Sequence, residues 1–136
     1  MSSHSRSRGF SLIELLLALS IIGILSAIAI PAFSTAREHA RYIGDAKANT
    51  KIIMMQLEGV KSDTGLYPAA GGYTWTQGVP DAAALGVLPS LKFKDGTKLD
   101  YTVTVAASRL TYVVVATDPA KSNKTIYKVD QTGAIQ

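Results

Sequence analysis

The chain of 136 residues contains no cysteine, which excludes disulfide scaffolds, zinc–thiolate sites and thiol catalysis. It has only two histidines, too few to build a histidine-based metal or catalytic site. Charged residues make up only 18% of the chain and hydrophobic residues 47%, a balance that argues against disorder. Length and composition together predict one small folded domain and leave little room for a second.

Catalytic motifs are also missing from the sequence. There is no P-loop, no dinucleotide fingerprint and no paired carboxylate motif. A Ser-His-Asp set would need His39, which lies among arginines. Asp95 and Asp118 stand alone, without the further oxygen ligands that calcium requires. We therefore predict that the chain is not an enzyme and that it holds no metal and no cofactor.

The apolar residues are concentrated near the N-terminus. Residues 1–9 are polar, contain two arginines and lack any acid. From Phe10 to Phe33 the only ionisable side chain is Glu14. A helix over residues 10–33 would be roughly 36 Å long, enough to cross a bilayer core of about 30 Å. The positive-inside rule then predicts a single membrane span with its N-terminus in the cytoplasm.

Three interpretations compete for this segment. A basic start, an apolar stretch and Ala27-Ile28-Ala29 mimic a cleaved secretory signal, although the stretch is long and contains a carboxylate. A plain membrane anchor explains the length but neither Glu14 nor Pro31. A lone acid costs on the order of 3 kcal/mol at mid-membrane, so by default it marks a function that involves a partner.

The third interpretation depends on the string GFSLIE at residues 9–14 and the apolar run that follows it. Over about residues 6 to 35 the chain closely resembles the prepilin segment of type IV pilins and of type II secretion pseudopilins, in their short-leader form. The resemblance implies that a membrane-embedded peptidase cuts between Gly9 and Phe10, removes the leader peptide 1–9 and N-methylates Phe10. A glycine suits that cleavage because a residue without Cβ lets the backbone lie extended in a protease cleft.

The resemblance also implies an assembly role for Glu14. Cleavage would leave a cationic amine on Phe10, and in the family this glutamate pairs with the amine of a neighbouring subunit in the filament. An ammonium partner offsets much of the cost of burying a carboxylate. The alternative is an intrachain pair between Phe10 and Glu14 at i, i+4 spacing within one helix. The two pairings are compatible if one forms in the membrane and the other in the filament.

The second part of the helix has a different pattern. Pro31 lies inside the apolar run and cannot donate a hydrogen bond to the residue four positions back, which predicts a helix kink there. Over residues 34–58 apolar residues recur at spacings of three and four, and a glycine at position 59 is expected to end the helix. We expect this amphipathic half to pack on a globular head, which we define as residues 59–136.

The head divides into two segments by composition. Residues 59–97 are rich in glycine and proline, which predicts turns and loops, with one short helical turn capped by Asp81. From residue 98 to 136 the period becomes two, and three β-branched segments with short connections predict an antiparallel meander. The predicted fold class is α+β, a long N-terminal helix with a small antiparallel sheet of three or four strands.

From these features we predict a structural subunit of a type IV pilus-like filament, processed by a prepilin peptidase and assembled from the inner membrane. The alternatives are a pseudopilin of a type II secretion system, or a minor pilin or competence pilin involved in DNA uptake. The expected partners are other pilin subunits, minor pilins among them, the peptidase/methyltransferase, an inner-membrane assembly platform and the lipid bilayer. The expected location is the bacterial inner membrane before assembly, and an extracellular pilus or periplasmic pseudopilus afterwards.

Nucleic acid is not expected as a partner, because removal of the leader would leave only 12 basic against 10 acidic residues and the sequence has no base-reading motif. The three lysines Lys92, Lys94 and Lys98 nevertheless form a local basic cluster in the sequence. A weak contact of this cluster with DNA or with a surface is one hypothesis. A solvated loop is the favoured alternative, since lysine is mostly exposed on protein surfaces.

Overall fold

The computed structural model describes residues 9–94 and 98–136. Leader residues 1–8 and Asp95 therefore lie outside the described residues. Within the described part the chain forms two helices, a five-stranded sheet and a 3₁₀ turn after the fourth strand. These elements are α1 Leu12–Thr64, β1 Gly71–Thr76, β2 Val79–Pro80, α2 Ala82–Val87, β3 Asp100–Val105, β4 Tyr112–Asp118, the 3₁₀ turn Pro119–Lys121 and β5 Lys124–Asp130. The chain divides into two compact units between Glu38 and His39.

The first unit contains the apolar part of α1. Leucine, isoleucine and alanine dominate this part, and leucine and alanine are among the strongest helix formers. By length and composition α1 is able to cross a membrane, as the sequence predicts. The helix continues through Pro31. The hydroxyl of Thr35, one turn after Pro31, donates a hydrogen bond to the Pro31 carbonyl at 3.1 Å.

The second unit is built on an antiparallel sheet with strand order β2-β1-β3-β4-β5. Strands β1 and β2 form a hairpin around Gln77 and Gly78, which both have positive φ, of 49° and 85°. Two central residues with positive φ are what the two-residue hairpin turn with the correct twist requires. Strand β4 pairs with β3 on one side and β5 on the other, with an irregular register between Ala116 and Thr117.

The core lies between one face of the sheet and α1 from Ala46 onward. Because neighbouring strand residues point to opposite faces, aligned partners form rows across the sheet. One row is Tyr73, Val103, Val114 and Val129, all buried. The buried residues of α1 recur at helical spacing and are Ala46, Asn49, Thr50, Ile53 and Leu57. The predicted packing of the amphipathic half on the head is confirmed from Ala46 onward, whereas Ala36 and Ala40 are exposed.

The α+β class and the antiparallel sheet are confirmed, but the sheet has five strands rather than three or four. The two additional strands, β1 and β2, lie in the segment that the sequence assigned to loops. Tyr73 and Trp75 alternate as strand residues do, but the glycines at the start of β1 and Pro80 in β2 are typical of loops, so the sequence predicted a loop there. Helix α1 continues to Thr64 rather than ending at residue 58, and Gly65 follows it with a φ of +81°. Glycine adopts that left-handed conformation readily after a helix end.

Asn49 is a fully buried polar side chain of α1 that bonds to the head at three points. Its Oδ1 accepts the backbone N–H of Lys94 at 2.9 Å, and its Nδ2 lies 3.0 Å from the carbonyl oxygen of Lys94. Its Nδ2 also lies 2.9 Å from the hydroxyl oxygen of Tyr101. One amide side chain thus satisfies both main-chain polar groups of Lys94 and one buried hydroxyl.

Tyr67 connects the end of α1 to the β3–β4 connection. Its hydroxyl donates to Glu58 Oε1 at 2.5 Å, and its ring meets that of Tyr112 edge-to-face, with the centroids 4.8 Å apart. The Nε of Arg109 donates to the carbonyls of Tyr67 and Pro68, at 2.8 and 3.1 Å. Burial, reinforced by the hydrogen bond to Glu58, raises the pKa of Tyr67 to about 12.

The first prediction concerns Asn49. The variant Asn49→Leu keeps the size of the side chain but leaves the N–H and C=O of Lys94 without their partner, so we expect the free energy of unfolding to fall by about 3 kcal/mol. Urea unfolding of the full chain in detergent, followed by the fluorescence of the single buried Trp75, measures the change.

The matched control for Asn49 is its neighbour, Thr50. Its hydroxyl is buried and has no hydrogen-bond partner among the described residues. Thr50→Val should therefore be neutral or slightly stabilising, because it removes an unpaired polar group without changing the shape of the side chain. If both variants lowered the free energy of unfolding by the same amount, the hydrogen bonds of Asn49 would make no specific contribution to stability.

The second prediction concerns alkaline pH. The folded chain holds the phenol proton of Tyr67 up to pH about 12, whereas the unfolded chain releases it near 10. The unfolded state then binds fewer protons, so the part of the stability that depends on this group is intact below pH 10 and falls as pH rises towards 12. Urea unfolding midpoints on both sides of this range should show the decline.

Tyr67→Phe serves as the comparison for the pH measurement, because phenylalanine has no proton to lose. Burial raises the pKa of Tyr112 in the same direction, so some decline should persist in the variant. We expect the decline to be smaller than in the parent chain. An identical decline in both proteins would contradict the assignment.

Candidate functional site

The functional residues predicted at the N-terminus lie at the start of α1. Gly9, Phe10 and Ser11 precede the helix and have neither helical nor strand structure. The backbone N–H of Ser11 donates to Glu14 Oε2 at 2.9 Å, and the N–H of Leu15 donates to the carbonyl of Ser11 at 3.2 Å. Ser11 is thus the N-cap residue directly before the helix, and the Glu14 carboxylate accepts a hydrogen bond from its amide.

This arrangement lowers the cost of placing a carboxylate in an apolar segment. The N-terminal end of a helix carries partial positive charge, which favours an acid in the first turn. An ionised carboxylate has about four acceptor positions, and the amide of Ser11 uses one of them. Glu14 therefore keeps the capacity to accept further hydrogen bonds from a cation while it bonds to Ser11.

The helix surface that follows Glu14 is apolar and exposed. Among the described residues from 10 to 33, every leucine, isoleucine and phenylalanine is more than half exposed. These residues are Phe10, Leu12, Ile13, Leu15, Leu16, Leu17, Leu19, Ile21, Ile22, Ile24, Leu25, Ile28, Ile30 and Phe33. A contiguous apolar surface of this kind marks contact with a membrane or with other proteins.

Two glycines of this segment are not required by the chain's own structure. A Cβ at Gly9 or at Gly23 would meet nothing within 4 Å, and neither residue has a left-handed φ. A side chain at either position is therefore compatible with the described fold. Any requirement for glycine at these positions must come from another molecule, such as a protease at Gly9 or a closely packed helix at Gly23.

The structure brings Glu14 together with Ser11, a contact that the sequence reasoning missed. The signal was present, because Ser11 and Glu14 have the S-x-x-E spacing of a helix capping box. Cleavage between Gly9 and Phe10, methylation of Phe10, pairing of Glu14 with an ammonium and a kink at Pro31 all stay predictions.

The basic cluster lies beside the Asn49 contact. Lys92, Lys94 and Lys98 are exposed, and the Nζ of Lys98 lies 5.8 Å from the ring centroid of Tyr42. The main chain of Lys94 is held by Asn49 while its side chain remains in solvent. Contact of these lysines with DNA or with a surface stays a prediction.

The N-terminal segment matches known proteins. Residues 4–30 match the family model described as the prokaryotic N-terminal methylation motif. The chain is also 46% identical over 50 residues to the type IV major pilin protein PilA of Myxococcus xanthus (strain DK1622). That match covers 37% of this chain and 22% of the relative, so most of both proteins lies outside it. No solved structure matches the chain. By this motif and this similarity, the N-terminal segment resembles that of type IV pilins.

Proposed function

We propose that this protein is a structural subunit of a type IV pilus-like filament, made as a membrane-anchored precursor and assembled through α1. One observation carries the proposal. A helix segment whose leucine, isoleucine and phenylalanine residues are all exposed has a single carboxylate, Glu14, in its first turn, a few residues after Gly9 and Phe10. This combination fits a surface that is covered first by lipid and then by other copies of the same helix.

In the first stage the apolar segment of α1, from Leu12 to Phe33, spans the inner membrane. Its apolar residues contact lipid tails, and the helix satisfies its own backbone hydrogen bonds, as a membrane span must. The segment 1–9 stays in the cytoplasm and the head lies on the other side. The hydrogen bond from the Ser11 amide offsets part of the cost of desolvating the Glu14 carboxylate near the bilayer.

In the second stage a prepilin peptidase hydrolyses the bond between Gly9 and Phe10. The free amine of Phe10 is then N-methylated. Two features of the precursor support this step. The bond lies outside the helix, in a segment without regular structure, and Phe10 is 86% exposed. A peptide bond in this state can be bound by a protease without unwinding a helical turn.

In the third stage the processed subunit leaves the lipid and packs its helix against other subunits. The starting solvent is lipid, so the driving force is close packing and polar contact rather than release of water. Small residues such as Gly23 permit that close approach. The Glu14 carboxylate recognises the Phe10 ammonium of a neighbouring subunit, and this pairing sets the axial register of the new subunit.

The third prediction concerns the mature N-terminus. Mass spectrometry of the protein from its native host should find N-methylated Phe10 as the first residue. Gly9→Val should block this cleavage, because the added side chain obstructs an extended fit in the protease. The precursor should still fold, since a Cβ at Gly9 meets nothing within 4 Å. A mature chain that begins at any other residue would refute the proposed processing.

The fourth prediction uses two substitutions of Glu14. Glu14→Gln keeps an acceptor for the Ser11 amide but removes the charge, whereas Glu14→Ala removes both. Both variants should be cleaved normally and both should lose nearly all filaments, because an unpaired ammonium in the filament core costs about 3 kcal/mol or more per subunit. Electron microscopy of cells counts the filaments, and amide hydrogen exchange at Ser11 should be faster only in Glu14→Ala.

Asp63→Asn is the matched control for Glu14. It removes one negative charge from an exposed position near the other end of the same helix, so filaments should form normally. Wild-type filament numbers in Glu14→Gln would show that charge pairing at this residue does not drive assembly.

A further inference from the structure

The apolar segment of α1 ends at a specific pair of side chains. Arg37 is the first ionisable residue after Glu14, and its Cζ lies 5.8 Å from the ring centroid of Phe33. Phe33 is 65% exposed, and Arg37 is exposed as well. The two residues are four positions apart and therefore lie on the same side of the helix. A positive charge and an aromatic ring thus stand together where the apolar surface stops.

This pair has the chemistry of a membrane–water interface. Aromatic rings are enriched at the level of the headgroups, and long basic side chains extend their charge towards that layer. An aromatic ring attracts a guanidinium but cannot satisfy its five N–H donors as oxygen atoms do. A lipid phosphate offers charge and oxygen atoms in the geometry that an arginine binds best.

The length of the helix relates this pair to the residues at the other end. If Phe33 lies at the outer boundary of the hydrocarbon layer, a core of about 30 Å takes up about 20 helical residues. The inner boundary then falls close to Ile13. Glu14 lies at that boundary rather than deep in the lipid, and the Gly9–Phe10 bond, which precedes the helix, lies beyond it among the headgroups.

We propose that Phe33 and Arg37 bind the outer headgroup layer of the membrane, with the guanidinium of Arg37 on lipid phosphates. This contact fixes the depth of the unassembled subunit, so that Glu14 and the Gly9–Phe10 bond lie at the opposite surface. Arg37 is a positioning residue in this arrangement, because it acts on the cleavage site through the helix. The inference depends on the membrane stage of the proposed function and not on cleavage or assembly.

A direct contact measurement tests the first half of the proposal. The unprocessed full chain is placed in vesicles of phosphatidylethanolamine and phosphatidylglycerol, with the Cζ carbon of Arg37 isotopically labelled. Solid-state NMR should show strong dephasing of this carbon by lipid phosphorus. A label on Lys51, an exposed cation further along α1, should show little. Absence of dephasing at Arg37, or equal dephasing at Lys51, would overturn the contact.

A charge relocation tests the second half. The double variant Ser34→Arg/Arg37→Ser moves the positive charge three positions towards the N-terminus. If the charge sets the depth, the helix should move outward by about 4.5 Å, carrying residue 11 the same distance into the lipid. Because the chain has no cysteine, a single spin label at Ser11→Cys reports that depth through its exposure to a water-soluble relaxation agent. An unchanged depth would overturn the proposal.

Two further outcomes separate this inference from the proposed function. A chain that stays outside the vesicles altogether would refute the membrane stage, and both proposals would fall together. A chain that spans the bilayer without phosphate contact at Arg37 would refute the anchor alone. Equal dephasing by inorganic phosphate in an uncharged detergent would show a general anion contact and would also overturn the assignment to lipid.

Discussion

The uncovered apolar surface of α1 is the constraint on which the rest of the molecule depends. Burying one leucine or isoleucine side chain is worth about 1.5–3 kcal/mol relative to leaving it in water. The described residues from Leu12 to Phe33 include more than ten such side chains in the exposed state. No chain keeps that surface in water, so lipid or other proteins must cover it. Glu14 lies at the start of this surface, small residues such as Gly23 lie within it, and Arg37 follows its end.

The later part of α1, in contrast, has its apolar residues covered within the same chain. From Ala46 to Leu57 its buried stripe is covered by the sheet of its own chain, which supplies rows of aromatic and β-branched residues. Trp75, Phe93 and Tyr101 pack together there, with Phe93 stacked on Tyr101 and edge-on to Trp75. One helix thus carries two surfaces. The head covers one of them, and on the proposed function lipid and then other subunits cover the other.

Much of this organisation is readable from the sequence because it depends on local patterns. The run around Glu14 predicted the apolar helix, and the period-two segments after residue 98 predicted β3, β4 and β5. Asp81 was predicted to cap a short helix, and its side chain accepts the N–H of Ala84 at 2.6 Å. Patterns of this kind involve neighbours within a few positions, so physical rules about periodicity and capping reach them directly.

The features that were missed depend on contacts between distant positions. Asn49 looked like an ordinary polar residue of a helix, and nothing near it in sequence indicates Lys94 or Tyr101. Strand β1 pairs with β3, about 30 positions away, and that pairing outweighs the low strand propensity of Gly71 and Gly72. The bond from Ser11 to Glu14 is the exception. It is local, and the S-x-x-E spacing of the two residues is itself the signal of a helix capping box.

The contact made by Asn49 has a mechanical consequence. Apolar contacts have no preferred direction, so an apolar core resists sliding only through the fit of its side chains. The three polar contacts of Asn49 have no equivalent one turn away, so a pull along the axis of α1 must break them at the same moment. In a fibre under tension, this single amide would hold the sheet at one fixed position on the helix that carries the load.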